Sequence, residues 1–161
     1  MHINDFIQGF VIGGTLIIAL GPQNLFVIQQ GLKKTYVFTV TLFCSLSDSL
    51  LIIIGIYLSS YIVGINPAII DIIKVIGGIW LIFYGLNKVR KLNQIKDINK
   101  ELNIINEYGK VLITLFLITF ANPHVYLDTI ILLGSLSTNF NDQFSFGIGA
   151  IAASFLFFFS L

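Results

Sequence analysis

The chain has 161 residues, of which 56% are hydrophobic and 11% are charged, with a formal net charge of +1. Soluble domains carry about 25% charged residues, so this composition excludes an ordinary soluble domain and indicates a membrane protein. The single cysteine, Cys44, has no partner in the chain, which excludes an internal disulfide.

Several apolar segments are each long enough to cross a bilayer as a helix, which takes about 20 residues. A backbone in lipid must pair its own polar groups, and continuous apolar runs favour helices over alternating barrel strands. The first run is uncharged from Phe6 to Gly31 with no basic residue before it, so we predict a resident helix rather than a secretory signal. The predicted helices are Phe6–Gln29, Tyr36–Val63, Pro67–Asn87, Val111–Gly134 and Phe144–Leu161.

The first predicted helix is interrupted by the tetrapeptide Gly21, Pro22, Gln23 and Asn24. Pro22 has no N–H and its ring crowds the carbonyl of Ile18, so that carbonyl loses its intrahelical donor. In lipid an orphan carbonyl costs several kcal/mol unless protein, water or a ligand satisfies it. The break therefore predicts either a structural kink or a polar site.

The second predicted helix carries Asp48 in the middle of the apolar run TLFCSLSDSLLIIIG. Thr41, Ser45, Asp48 and Gly55 share one helical face, which forms a small and polar stripe. An Asp at the centre of a membrane helix costs about 2.5–3.5 kcal/mol on insertion scales, so it usually faces an interior cavity and has a partner. Asp48 is a candidate site residue; the alternative role is a protonated carboxyl that hydrogen-bonds two helices.

The basic residues predict the orientation of the chain. Eight of the nine Lys and Arg residues fall in the connections after the first and third predicted helices. Short basic connections stay cytoplasmic, which places the N-terminus outside. We expect the ninth, Lys74, to pair with Asp71 near the interface rather than to bind substrate. Residues 88–110 space their Leu and Ile side chains three and four apart, which predicts a basic amphipathic helix on the membrane surface.

A second break, Asn122-Pro123, lies in the fourth predicted helix, about 100 residues after the first. Asp128 follows it in the same apolar run. His124 lies one turn before Asp128, and its imidazole could relay protons or satisfy a carbonyl freed by Pro123. Because every Lys and Arg lies in a loop or near an interface, the two aspartates lack a fixed cation. Either one or both are protonated, or a cation from solution is their partner.

Matching breaks in two halves of a chain are typical of a transporter site at the membrane midplane. An odd number of crossings inverts the second half, so the sequence predicts an all-α, polytopic transmembrane helix bundle of two inverted three-helix repeats. Residues 1–87 form the first repeat, 88–110 the cytoplasmic basic amphipathic connection, and 111–161 an incomplete second repeat with helices four and five. Because the chain ends inside the apolar run SFLFFFSL, we expect the second repeat to be truncated.

We predict that the two breaks face each other and that two carboxylates hold an ammonium or guanidinium group and exchange it for protons. The candidate substrate-binding or proton-coupling residues are Asp48, Asp128, Gln23, Asn24, Asn122, His124 and Tyr126. The helix breaks are assigned to Gly21, Pro22 and Pro123.

The stretches GPQNLFVIQQGLKK and NPHVYLDTIILLGSLS resemble the two signature regions of the LysE-type basic amino-acid exporters of bacteria. SDSLLI and DIIKVIGGIWLIFYG are similar to the same family, and the likeness is closest to its arginine-exporting branch. The resemblance implies export of arginine or lysine across the bacterial cytoplasmic (inner) membrane, powered by the proton gradient or the membrane potential. It maps the family's paired membrane aspartates onto Asp48 and Asp128. It also implies two inverted repeats, in chains longer than this one.

The expected partners are a basic amino acid, the lipid bilayer and protons, with a homodimer left open and with no nucleic acid, cofactor or metal. Within transporters, neutral amino acids or a cation are alternative cargoes. Two membrane aspartates also suggest an intramembrane aspartic protease, but the contexts Ser-Leu-Ser-Asp and Tyr-Leu-Asp differ from the Gly-x-Gly-Asp and Tyr-Asp of those enzymes. A non-transporting truncated subunit is a further alternative. We predict a secondary transporter and not an enzyme.

Overall fold

The fold was obtained as a computed structural model, which describes residues 2–18, 21–66 and 107–161, with residues 68, 71, 72, 75, 76, 79, 82 and 83. Every regular element in this part of the chain is helical, which confirms the all-α prediction. The α-helices are α1 (Ile3–Ile17), α2 (Pro22–Lys33), α3 (Val37–Ile65), α4 (Tyr108–Phe120), α5 (Pro123–Tyr126), α6 (Gly134–Ser137) and α7 (Gln143–Ser160). A π-helical segment, Leu127–Leu133, joins α5 to α6.

Two of the predicted membrane helices are continuous. Val37–Ile62 of α3 and Gln143–Ser160 of α7 are each long and apolar enough to cross a membrane. Both agree with the predicted second and fifth helices to within a few residues, because their apolar runs contain no proline. The described part of the chain therefore has two helices that are able to span a membrane, or up to four if each bent pair described next is one span.

The predicted first and fourth helices are each divided in two. α1 and α2 meet at a bend of 81°, and α4 meets the helical stretch His124–Ser137 at 57°. The segments predicted over Phe6–Gln29 and Val111–Gly134 are thus each broken into two helices, and the breaks lie where the prolines predicted them. The reason is steric: a proline is accommodated best in the first turn of a new helix, and α2 and α5 begin with Pro22 and Pro123.

Two predictions lie largely outside the described residues. These are the third helix, Pro67–Asn87, of which scattered positions are described, and the amphipathic helix within 88–110. The Lys74 side chain, predicted to pair with Asp71, is also outside them. The division into two repeats and the cytoplasmic placement of the basic connections stay predictions.

α1 and α7 run in parallel and touch along glycines. A Cβ added at Gly9 would lie 1.9 Å from the Phe146 carbonyl oxygen, and one at Gly13 would lie 2.9 Å from the Ala150 Cα. Glycine is required at such positions because the backbones approach more closely than a side chain permits.

α3 packs between α7 and the π-helical segment. It is antiparallel to α7, since the Ser60 hydroxyl donates to the Gln143 Oε1 at one end while Asp48 meets Ser154 further along. Gly55 of α3 also meets the backbone of Ile130, and Ser59, one turn later, meets Gly134 just after the π-helical segment. The π-helical segment therefore runs parallel to α3, and α1, which is parallel to α7, runs in the opposite direction.

Charge is distributed unequally between the two ends of the helices. Lys33 ends α2 and Lys34 follows it, and a ring contact of 5.1 Å between Tyr36 and Tyr108 brings that connection beside the start of α4, where Lys110 lies. At the opposite end, the Asp142 N–H donates to Asp5 Oδ2 over 2.9 Å. This separation agrees with the predicted orientation, in which the basic side faces the cytoplasm.

Candidate functional site

The two helix breaks and the buried aspartate of α3 border one cavity of about 60 Å³. One water needs roughly 10–15 Å³ by this kind of measure, so the cavity has room for a few waters. It lies between two apolar clusters and borders Phe158 of one and Ile52 of the other. The lining residues are Leu16, Ile17, Gly21, Gln23, Asn24, Asp48, Ile52, Asn122, His124, Val125, Asp128, Thr129, Leu133 and Phe158.

At the first break the chain leaves α1 before the proline and starts a new helix with it. Gly21 is the N-terminal capping residue of α2 in an extended conformation, and Pro22 is the first helical residue. The Asn24 Nδ2 donates to the Ile17 carbonyl over 2.9 Å, which satisfies a carbonyl at the end of α1. Gln23 is also buried, 6% exposed, and its Nε2 has no hydrogen bond among the described residues.

At the second break a side chain caps the new helix. The Asn122 Oδ1 accepts a hydrogen bond from the His124 N–H over 3.1 Å. Tyr126 reaches back across the break, and its hydroxyl donates to the Phe120 carbonyl over 2.7 Å. The structure therefore places Asn122 and His124 at the cavity, while Tyr126 bridges the two halves of the break and is not among the lining residues.

The two aspartates lie at this cavity in different surroundings. Asp48 is 5% exposed, and the Ser154 hydroxyl donates to its Oδ2 over 3.3 Å. The Asp128 Oδ2 lies 3.2 Å from the His124 Nε2, while its Oδ1 is buried with no hydrogen bond among the described residues. The two carboxylates are near enough to repel each other electrostatically.

The cavity has a deficit of positive charge. No Lys or Arg is among the described residues that line it, and the imidazole of His124 is the one side chain there that could become cationic. Charges buried in a low-dielectric environment are stable only when they are paired or neutralised. The arrangement can therefore bind a cation or protons.

Sequence reasoning missed Ser154, which is fully buried on α7. Most described helical serines donate their hydroxyl to a carbonyl of the preceding turn, as Ser45 donates to Thr41 and Ser135 to Leu132. Ser154 instead reaches an aspartate 106 residues away. The available signal was a hydroxyl within the apolar run AIAASFLFFFS, which does not indicate its partner.

Comparison with known proteins identifies the family. The family model for LysE type translocators matches residues 15–161. The chain belongs to this family. The assignment confirms the resemblance inferred from the signature stretches.

Membership in this family makes the chain a multi-pass membrane transporter rather than an enzyme. The alternative of an intramembrane protease is accordingly wrong.

Curated relatives of the family are similar along nearly the whole chain. The chain is 36% identical over 163 residues to the arginine exporter protein ArgO of Salmonella enteritidis, covering 99% of this chain and 77% of that protein. It is 36% identical over 159 residues to the arginine exporter protein ArgO of Klebsiella pneumoniae strain 342, covering 97% and 75%. No solved structure matches the chain significantly.

Proposed function

We propose that this protein exports basic amino acids, arginine and/or lysine, across the cytoplasmic membrane through the cavity between its two helix breaks. The observation that carries the proposal is a pair of carboxylates, the buried Asp48 and Asp128 with a side chain 16% exposed, at a cavity with one imidazole and no Lys or Arg among its described lining residues. Relatives that are 36% identical are named arginine exporters, which favours arginine as cargo.

Charge balance explains why a basic amino acid suits this cavity. A carboxylate placed in the membrane interior is costly without a partner. An arginine or lysine carries two cationic groups and can neutralise both aspartates while it is bound. After it leaves, protons must take its place, and the contact between His124 and Asp128 offers a route for them. Export is therefore coupled to the proton gradient or the membrane potential.

The geometry supports alternating access between two related halves. α1 and the π-helical segment run in opposite directions, and each belongs to a bent helix pair, as expected for inverted repeats. The cavity has room for a few waters, which is less than a whole arginine needs. Binding of the cargo therefore requires the cavity to widen.

Excretion from cells tests the proposal. Cells that express the protein and are fed an arginine-containing dipeptide should accumulate arginine in the medium. Asp48→Asn and Asp128→Asn should each abolish this while the protein remains in the membrane, because the amide keeps the shape but loses the charge. Glu107→Gln is the matched control, since Glu107 is exposed and contacts Lys110 away from the cavity. Unchanged excretion in both aspartate variants would refute the proposed role of the pair.

A further inference from the structure

The two helix breaks differ in how the N-terminus of the helix after the break is capped. At the second break, Asn122 occupies the N-terminal cap and accepts the His124 N–H. At the first break, the cap is Gly21, which has no side chain, and the first turn of α2 contains no acidic residue. The first amides of a helix have no intrahelical acceptor, and they carry partial positive charge. α2, with 12 residues, therefore presents an uncapped N-terminus beside the cavity.

A second, independent feature at this place calls for a ligand with a hydrogen-bond acceptor. Gln23 lines the cavity, is 6% exposed, and its Nε2 is buried without a hydrogen bond among the described residues. A buried amide donor without a partner is destabilising, so such a group usually has a ligand or a water. The neighbouring amide of Asn24 differs, because its Nδ2 already donates to the Ile17 carbonyl.

The Gln23 side chain lies beside the carboxylate of Asp48 but does not meet the geometry of a hydrogen bond to it. A group of donors, formed by Gln23 and the N-terminus of α2, is thus next to an acceptor. An α-amino acid has the complementary pair, because its ammonium and carboxylate are attached to one carbon. The second carboxylate, Asp128, projects from a different helix and remains for another cation.

We propose that the first break binds the amino-acid head group, on the premise that the protein transports basic amino acids as argued above. The α-carboxylate lies at Gln23 Nε2 and the N-terminus of α2, the α-ammonium at Asp48, and the cationic side chain toward Asp128. Two carboxylates and one helix N-terminus then match the two cations and one anion of the cargo. The site therefore selects basic amino acids over their amides and over decarboxylated amines of the same length.

Competition in membrane vesicles tests this orientation. Vesicles that contain the wild-type protein transport labelled arginine, and unlabelled arginine, argininamide and agmatine are added as competitors. Loss of a hydrogen bond to a charged group corresponds to roughly a tenfold or greater change in affinity, so argininamide and agmatine should compete at least tenfold more weakly than arginine. Gln23→Leu should weaken competition by arginine about tenfold and leave agmatine unchanged. Gln23→Glu should reduce or reverse the preference, since a negative charge there repels the carboxylate.

Gln30→Glu is the matched control. Gln30 lies on the same helix, is 2% exposed and accepts a hydrogen bond from the Thr35 hydroxyl, but it does not line the cavity. Its variant should keep the wild-type order of competitors. Equal competition by arginine and argininamide in the wild type, or equal weakening of arginine and agmatine in Gln23→Leu, would overturn the head-group site alone. A wild-type protein that does not transport arginine would overturn the proposed function and this site with it.

Discussion

The contact between α3 and the helix that carries Asp128 is tight enough to predict the effect of one methyl group. A Cβ added at Gly134 would lie 2.5 Å from the Gly55 carbonyl oxygen and 2.8 Å from the Ser59 hydroxyl. Ordinary van der Waals contact begins near 3.4 Å, so Gly134→Ala must push the two backbones apart by about 0.9 Å. A helix backbone cannot yield as a flexible side chain does. We expect a cost of about 1–3 kcal/mol, which is typical of overpacking.

Thermal unfolding in detergent and arginine efflux measure the two consequences. For a chain of this size, 1–3 kcal/mol corresponds to a melting temperature lower by roughly 2–12 °C. Efflux should also fall, because Gly134 and Asp128 share one helical stretch and its displacement from α3 moves Asp128 away from Asp48. Gly109→Ala is the control: an added Cβ there meets nothing within 4 Å. If both variants melt at the same temperature and export equally well, the inferred backbone contact is refuted.

Two further predictions concern hydrogen bonds to aspartates. Ser154→Ala removes the hydroxyl that donates to Asp48, so we expect arginine efflux to fall about tenfold, as roughly 1.5 kcal/mol implies. Ser154→Thr should restore part of the efflux. Ser49→Ala is the control and should have no effect, because the Ser49 hydroxyl donates to a carbonyl of its own helix. Unaltered efflux in Ser154→Ala would contradict a role for the hydrogen bond to Asp48. At the acidic end, hydrogen bonds from the Ser145 hydroxyl and N–H lower the pKa of Asp142 from 3.8 to about 2. The resulting stabilisation is present above pH 3.8 and is lost as the pH falls toward 2. The melting temperatures of the wild type and Asp142→Asn should therefore converge over that range. A difference in melting temperature that stays constant with pH would contradict the lowered pKa.

The elements of this protein were predictable where the signal is local. An apolar run without proline becomes a continuous helix, as in α3, because lipid leaves the backbone no other way to pair its polar groups. Proline acts within one turn, so Pro22 and Pro123 indicated both breaks. The sequence did not predict that each proline would begin a new helix rather than bend a continuous one. It also did not predict the seven-residue π-helical segment around Asp128.

The roles of individual polar side chains were not predictable, because their partners are distant in the chain. Gln23 and Asn24 are adjacent amides of similar chemistry. The structure joins Asn24 to the end of α1 and leaves Gln23, a lining residue of the cavity, with an Nε2 that has no hydrogen bond among the described residues.

The sequence by itself determined the membrane class, the helical spans, the two breaks and the aspartates as candidate site residues. These depend on composition and on interactions within a few turns. Tertiary packing alone decided that Ser154 meets Asp48 across 106 residues and that both breaks border one cavity. The reason is geometric: a helix face is encoded locally, but which faces meet depends on how closely glycine-lined backbones can approach.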